Sequence, residues 1–259
     1  MTDTRIDSRI EVELAGPAAA LAAISAVMPV RRACYALAGG RVGKLDVDPV
    51  KGFAAVGGGN LAPPAANAQV ARMIAEIDRT NRLFIAAGHP IAVFLDTHEP
   101  GKPEHPYPPH CEAGTGEENL VDELAWLDGA PGVTLMRKDC INGVVGTTDL
   151  ATGRNRLFEW IAGNGIEILV VDGICTDICV LQAVQALLSA RNHGMTGPLR
   201  DIVVHEPGCA TYDLPLATAQ ALGLPDGAAH PQMVAHHIGL YLMQASGAIV
   251  ADELLFPQR

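Results

Sequence analysis

The 259-residue chain lacks the features that would indicate a nucleic-acid or membrane partner. It has no block of Lys and Arg, and its formal net charge is −11, so nucleic acid and anionic membranes are poor candidates for its main partner. The apolar segment 15–30 is preceded by acidic rather than basic residues, which argues against a signal peptide, and it is too short and too rich in alanine to span a bilayer. The six cysteines are scattered, so we expect free thiols and a cytoplasmic location rather than a disulfide framework. A small molecule is the favoured partner.

The chain also lacks internal repeats and low-complexity tracts, and its length and 49% apolar content suit one α/β core. Apolar runs predict strands at 41–47, 91–95, 132–136, 166–171, 201–204 and 248–251. Helical periodicity predicts helices near 18–27 and at 67–88, 119–127, 155–165, 178–194, 214–224 and 230–246. Because strands and helices alternate, we predict an α/β fold with a mostly parallel sheet and helices on both faces. We assign 41–259 to one domain and 1–40 to an N-terminal extension packed on it.

Ionisable residues follow several of these predicted strands. Asp48 follows the first, Lys138 the third, and Cys175 and Cys179 the fourth. Because ligands of open parallel sheets bind beyond the carboxyl ends of the strands, these side chains are expected to meet at one edge of the sheet. A carboxylate, an ammonium group and a thiol brought together there suit covalent catalysis.

Cys179 begins a predicted helix, with Thr176 or Asp177 as the expected N-cap. A thiol in the first helical turn faces the positive end of the helix dipole, which predicts a lowered pKa for Cys179. Taken alone, such a cysteine is more often a buried structural residue. Asp48 and Lys138, each taken alone, are ordinary surface features of strand ends. Only their joint arrival at one edge favours a catalytic role.

A second group of candidate ligands lies in "DTHEPGKPEHPYPPHC", from 96 to 111. Asp96 and His98 follow a predicted strand two positions apart, and His110 returns from the long proline-rich loop. Two imidazoles and a carboxylate suit one divalent metal ion, with zinc favoured and iron or manganese as alternatives. Two alternatives are a solvated loop and a zinc site built on cysteines at 111, 175 and 179, although the CxxxC spacing argues against the latter.

The motifs "GGGNLAP", "PPHCEAGT", "RKDCINGVVG", "GICTDICV" and "GCATYDLPL" resemble those of the isochorismatase-like cysteine hydrolases. Within that family they resemble the plant-type branch of the nicotinamidases, over residues 42–250. The resemblance implies that Cys179 is the nucleophile, that Asp48 accepts its proton and that Lys138 completes the triad. It also implies a cis peptide before Cys175, and an oxyanion hole made by the backbone N–H groups of Cys175 and Cys179.

The same resemblance extends to the metal and the substrate. It implies that Asp96, His98 and His110 are metal ligands, and Glu104 matches a further acidic position near the metal in some members. Phe53 and Tyr107 match the positions of aromatic residues that pack against a pyridine ring.

The implied activity is hydrolysis of nicotinamide to nicotinate and ammonia through a thioester, with a role in NAD salvage. We also expect a homo-oligomer. Lys51, close after the aspartate, could favour an anionic substrate instead. Two alternatives therefore stay open: a related amidohydrolase acting on another small amide or carbamoyl compound, and a metal-binding or ligand-binding module without activity.

Overall fold

The computed structural model describes residues 16–257. The strands, in chain order, are β1 (Ala33–Ala36), β2 (Val42–Val47), β3 (Ile91–Asp96), β4 (Val133–Lys138), β5 (Ile168–Ile174), β6 (Asp201–Ala210) and β7 (Ile249–Leu255). The α-helices are α1 (Gly16–Val27), α2 (Lys51–Ala54), α3 (Ala68–Ala86), α4 (Gly143–Gly146), α5 (Arg156–Gly163), α6 (Leu181–Asn192), α7 (Leu216–Ala221) and α8 (Gln232–Ala245). Short 3-10 turns span Asp122–Leu127 and Asp226–Ala228, and a π-helical turn spans Thr176–Val180.

Within the described residues, seven strands form one sheet in the order β1-β7-β6-β5-β2-β3-β4, and all neighbouring pairs are parallel. One apolar core lies between the sheet and helices α5, α6 and α8, and a second lies between the opposite face and α3. This arrangement confirms the predicted α/β fold with helices on both faces. None of the helices in residues 16–257 is both long and apolar enough to cross a bilayer.

Sequence patterns missed one strand and misjudged the geometry of one helix. β1 lies at the edge of the sheet, pairs with β7, and alternates between half-buried and exposed residues over only four positions, so its pattern is weak. The segment predicted as a helix at 119–127 forms a 3-10 turn instead. The helix expected near 18–27 is present as α1, which packs against α8. Residues 1–15 of the predicted extension lie outside the described part, and the domain boundary at 40 stays a prediction.

A network of charged side chains lies fully buried beneath the central strands. Lys44 on β2 pairs with Asp46, lies 3.0 Å from Asp172 Oδ2 on β5, and donates to Asn81 Oδ1 on α3 at 2.8 Å. All four residues have no exposed surface. A buried charge is stable only when it is paired, so these contacts tie both strands to α3.

The strand order places the predicted site residues next to one another. β5, β2, β3 and β4 are consecutive neighbours, and their carboxyl ends lead to Cys179, Asp48, Asp96 and Lys138. Asp96 and Lys138 are paired directly in the β3–β4 register. The sheet therefore brings a thiol, two carboxylates and an ammonium group to one edge.

Candidate active site

Cys179 lies in the π-helical turn that joins β5 to α6, and its exposed fraction is 7%. The N–H groups of Ile178 and Val180 both donate to the carbonyl oxygen of Cys175, at 3.0 and 3.1 Å. These bonds wrap the turn tightly around Cys175. The peptide bond between Ile174 and Cys175 is cis, as the resemblance implied. The assignment of the Cys175 and Cys179 N–H groups to an oxyanion hole stays a prediction.

The predicted N-cap was wrong. Cys175 occupies the N-cap position, and no side chain caps the turn. Thr176 instead bonds through its hydroxyl to Nδ1 of His236 at 2.8 Å, and Asp177 accepts a hydrogen bond from the hydroxyl of Thr211 at 2.7 Å. The side chains expected to cap the helix therefore anchor the π-helical turn that carries Cys179 to other parts of the protein.

Asp48 and Lys138 form a buried ion pair rather than the surface features that each suggests alone. Lys138 Nζ lies 3.0 Å from Asp48 Oδ2 and 2.6 Å from Asp96 Oδ1, and it donates to the carbonyl oxygen of Cys140 at 3.1 Å. Asp48 has a left-handed backbone conformation, with φ of 52°, which is uncommon outside glycine but tolerated by aspartate. Lys138 thus connects the proposed proton acceptor to the candidate metal site.

Burial dominates the electrostatics of Cys179 and Asp48. It raises the pKa of Asp48 to about 6, against the opposing attraction of Lys138. It also raises the pKa of the Cys179 thiol well above its usual range, and the attraction of Lys138 does not overcome it. The lowered pKa predicted for Cys179 was wrong because this helix start is enclosed by protein. A protonated thiol with a carboxylate beside it requires proton transfer before it can attack.

Asp96, His98 and His110 converge as the sequence predicted. Their candidate ligand atoms all lie within 4.8 Å of one another, and all three residues are buried. His98 Nε2 lies 2.9 Å from Asp96 Oδ2, and His110 Nε2 lies 3.3 Å from the same oxygen. Among the described residues, this is the group of His, Cys, Asp and Glu close enough to hold an ion. The alternative zinc site built on cysteines therefore has no support there.

The surroundings of this cluster fit a divalent metal ion. His110 Nδ1 lies 2.8 Å from the carbonyl oxygen of Pro108, an arrangement that directs Nε2 toward a metal. Glu104 Oε2 lies 3.6 Å from His98 Nε2 and 3.5 Å from His110 Nε2. The N–H of Ile141 donates to Glu104 Oε1 at 2.8 Å and so holds that carboxylate in place. Two imidazoles and two carboxylates are a suitable donor set for zinc, iron or manganese.

A cavity of about 40 Å³ opens beside Cys179 and the metal ligands. Phe53 and Tyr107 line it, and their rings lie 5.5 and 6.1 Å from the ring of His110. Four lining residues were not predicted: Leu61, Ile141, Ile178 and Tyr212. Of these, Tyr212 lies two residues after the end of β6, so extending the strand-end rule to β6 would have identified it.

Lys51 does not reach this cavity. Its Nζ lies 2.7 Å from Asp122 Oδ1, in an ion pair between two partly exposed side chains. The expectation that Lys51 favours an anionic substrate was therefore wrong, because its side chain points toward the 3-10 turn at 122–127. All six cysteines are free thiols, as predicted.

In its fold and site the chain is a parallel-sheet α/β protein that brings a thiol, a carboxylate and an ammonium group to one sheet edge beside a candidate metal site. The chain belongs to the isochorismatase family, because residues 46–251 match its isochorismatase domain. Over 215 residues it is 46% identical to Nicotinamidase 1 of Arabidopsis thaliana. The matched region covers 83% of this chain and 87% of that protein. The resemblance inferred from the sequence motifs is thereby confirmed.

Solved structures are similar in fold. Nicotinamidase/pyrazinamidase PncA from Bacillus subtilis superposes with a TM-score of 0.60 at 22% identity, covering 82% of this chain and 100% of that one. The pyrazinamidase of Pyrococcus horikoshii in complex with zinc superposes with a TM-score of 0.56 at 16% identity, covering 85% and 99%. At these identities the similarity concerns the fold alone.

Proposed function

We propose that the protein is a nicotinamidase, which hydrolyses nicotinamide to nicotinate and ammonia. The observation that carries this proposal is the buried Cys179, which lies at the sheet edge that also carries the Asp48–Lys138 ion pair and lines a cavity with aromatic residues and candidate metal ligands. The 46% identity to a plant nicotinamidase supports the choice of substrate. The aromatic rings of Phe53, Tyr107 and Tyr212 in the cavity wall suit a flat substrate ring.

The first chemical step needs a base beside the thiol. Asp48 takes the proton of the Cys179 thiol, and the sulfur attacks the carboxamide carbon. Lys138 balances the negative charge of Asp48 and then that of the developing thiolate. The backbone N–H groups of Cys175 and Cys179 stabilise the oxyanion that forms.

Collapse of this tetrahedral intermediate breaks the carbon–nitrogen bond. The proton held by Asp48 passes to the leaving nitrogen, so that ammonia departs and a thioester to Cys179 remains. Asp48 next takes a proton from water, which attacks the thioester carbon. Nicotinate leaves, and the thiol regains its proton. One residue thus serves as base and as acid in each half of the reaction.

Binding and orientation of the substrate fall to the cavity walls. Phe53 and Tyr107 pack against the ring and hold the carboxamide toward Cys179. Asp96, His98 and His110 would hold a divalent ion, which would orient the substrate and polarise water. Zinc is the favoured ion for this donor set, with iron and manganese as the alternatives.

A screen for ammonia release tests this proposal. The metal-loaded protein is incubated with nicotinamide, pyrazinamide, propionamide and a small carbamoyl compound, and ammonia and the product acid are measured. We expect nicotinamide to be among the best substrates by kcat/KM. Preferential turnover of the aliphatic amide or the carbamoyl compound would replace the proposed substrate. No ammonia from any amide would favour a binding module without activity.

Three expectations from the sequence accompany this proposal and stay predictions. They are a role in NAD salvage, a cytoplasmic location and a homo-oligomeric state. A nicotinamidase would supply nicotinate to such a salvage route, and an acidic protein with free thiols suits a reducing compartment.

A further inference from the structure

Tyr212 forms a wall of the substrate cavity that does not belong to the predicted site. It follows the end of β6 and lines the cavity together with Phe53, Tyr107 and Cys179. The cavity is thus bounded by aromatic rings from three separate segments of the chain.

His230 holds the ring of Tyr212 in place. Their rings are stacked, with centroids 3.8 Å apart and planes inclined by 14°. His230 Nδ1 lies 2.9 Å from the carbonyl oxygen of Tyr212, and a pair of backbone hydrogen bonds at 2.9 and 2.7 Å joins His230 to Leu214. The ring stacking and these hydrogen bonds together fix the position of the imidazole relative to Tyr212.

The same histidine is attached to the nucleophile turn, which is the π-helical turn Thr176–Val180 that carries the proposed nucleophile Cys179. His230 Nε2 lies 2.8 Å from Asp177 Oδ2, and the other oxygen of Asp177 accepts from the hydroxyl of Thr211 at 2.7 Å. Asp177 lies two residues before Cys179 in the turn. A continuous set of contacts therefore links the position of the nucleophile to that of the Tyr212 ring.

We propose that Tyr212 is a specificity-determining residue that selects planar aromatic amides, and that His230 and Asp177 are its positioning residues. This inference rests on the proposed amidohydrolase function. A rigid ring that lines the same cavity as Phe53 and Tyr107 offers stacking contacts to a flat substrate ring. An aliphatic amide gains little from such contacts. We expect this stacking to favour binding of an aromatic amide over an aliphatic one by about tenfold in affinity.

Substitution of Tyr212 and His230 tests the inference by a ratio of substrates. For the wild type, Tyr212→Leu, Tyr212→Phe and His230→Ala, kcat and KM are measured with nicotinamide and with propionamide. We expect the ratio of the two kcat/KM values to fall about tenfold in Tyr212→Leu, mainly through a higher KM for nicotinamide. Tyr212→Phe should recover most of this loss, because the ring is retained. His230→Ala should shift the ratio in the same direction.

A matched control and a binding measurement keep the test decisive. His193 is an exposed histidine outside the site, and His193→Ala should leave the ratio unchanged. If His230 and Tyr212 only stabilise the fold, their variants will lose activity toward both amides equally, and an unchanged ratio overturns the inference. Nicotinamide binding is also measured calorimetrically with Cys179→Ala, with and without Tyr212→Leu.

The binding measurement separates the inference from the proposed function. Loss of about tenfold in affinity on Tyr212→Leu supports the ring-selecting role even if the wild type hydrolyses no nicotinamide, an outcome that would refute the proposed function alone. If Cys179→Ala binds nicotinamide with the same affinity with and without Tyr212→Leu, the inference is overturned. The proposed function would still stand in that case, provided that the wild type hydrolyses nicotinamide.

Discussion

Gly239 on α8 packs directly against the nucleophile turn, and its substitution by alanine should displace that turn. A Cβ atom at Gly239 would lie 2.8 Å from Asp177 Cα and 2.9 Å from both its Cβ and its backbone N. These are atoms of the backbone and its first side-chain carbon, which cannot rotate away. The added methyl group must therefore push α8 and the turn apart.

The size of the effect follows from this contact. Ordinary van der Waals contact begins at 3.4 Å, so the two segments must separate by about 0.6 Å. Alanine in a helix interior gains about 1 kcal/mol over glycine, whereas overpacking a tight contact costs about 1–3 kcal/mol. We expect a net loss of stability of about 0–2 kcal/mol. Moving a nucleophile by this distance should lower kcat by about 10- to 100-fold.

Gly163→Ala is the matched control for this substitution. Gly163 ends α5, and a Cβ atom there would meet no atom within 4 Å. Both variants are compared with the wild type in urea unfolding and in nicotinamide turnover. Gly163→Ala should keep full activity and the stability of the wild type or slightly more. A Gly239→Ala variant that is fully active would refute the claim that α8 positions the nucleophile turn.

Three further predictions concern the charged residues. His98→Ala should lose the bound divalent ion, so the metal content found by elemental analysis should fall from about one ion per chain to near zero. Equal metal content in the variant and the wild type would show that His98 is not a ligand. Asp48 must be ionised to accept the thiol proton, and burial raises its pKa to about 6. We therefore expect kcat/KM to decline as the pH falls through about 6. A kcat/KM that is constant from pH 5 to 7 would contradict the role of Asp48 as base. Lys138→Ala should cost about 3–5 kcal/mol in urea unfolding, since it leaves the buried carboxylate of Asp48 without its cation. The exposed ion pair of Lys102 with Asp139 offers a control, and Lys102→Ala should change stability little.

The sequence predicted the sheet and the identity of the residues that meet at its edge, because both follow from local patterns. Buried strands are continuous apolar runs, and the residues after parallel strands share one edge. Cys179, Asp48, Lys138 and the three candidate metal ligands could therefore be found without coordinates. The strand β1 was missed because four residues at a sheet edge carry little periodicity.

The electrostatic environment could not be predicted in the same way, because burial depends on contacts distant in sequence. The helix start around Cys179 suggested a lowered thiol pKa, yet enclosure by protein raises it. Lys138 resembled an ordinary strand-end cation until the structure placed it between two carboxylates. The contact between Tyr212 and His230 joins residues 18 positions apart, and no periodic pattern indicates it.

Nicotinate formation by two cysteine variants tests whether Cys179 is the nucleophile of a nicotinamide-hydrolysing enzyme. The rate of nicotinate release from nicotinamide is measured for the metal-loaded wild type, Cys179→Ala and Cys175→Ala. Cys179→Ala should form no nicotinate, because the thioester cannot form. Cys175→Ala should keep substantial activity, because alanine retains the backbone N–H. Nicotinate release by Cys179→Ala at the rate of the wild type would refute the role of Cys179 as nucleophile. No nicotinate release by the wild type would refute the proposed function.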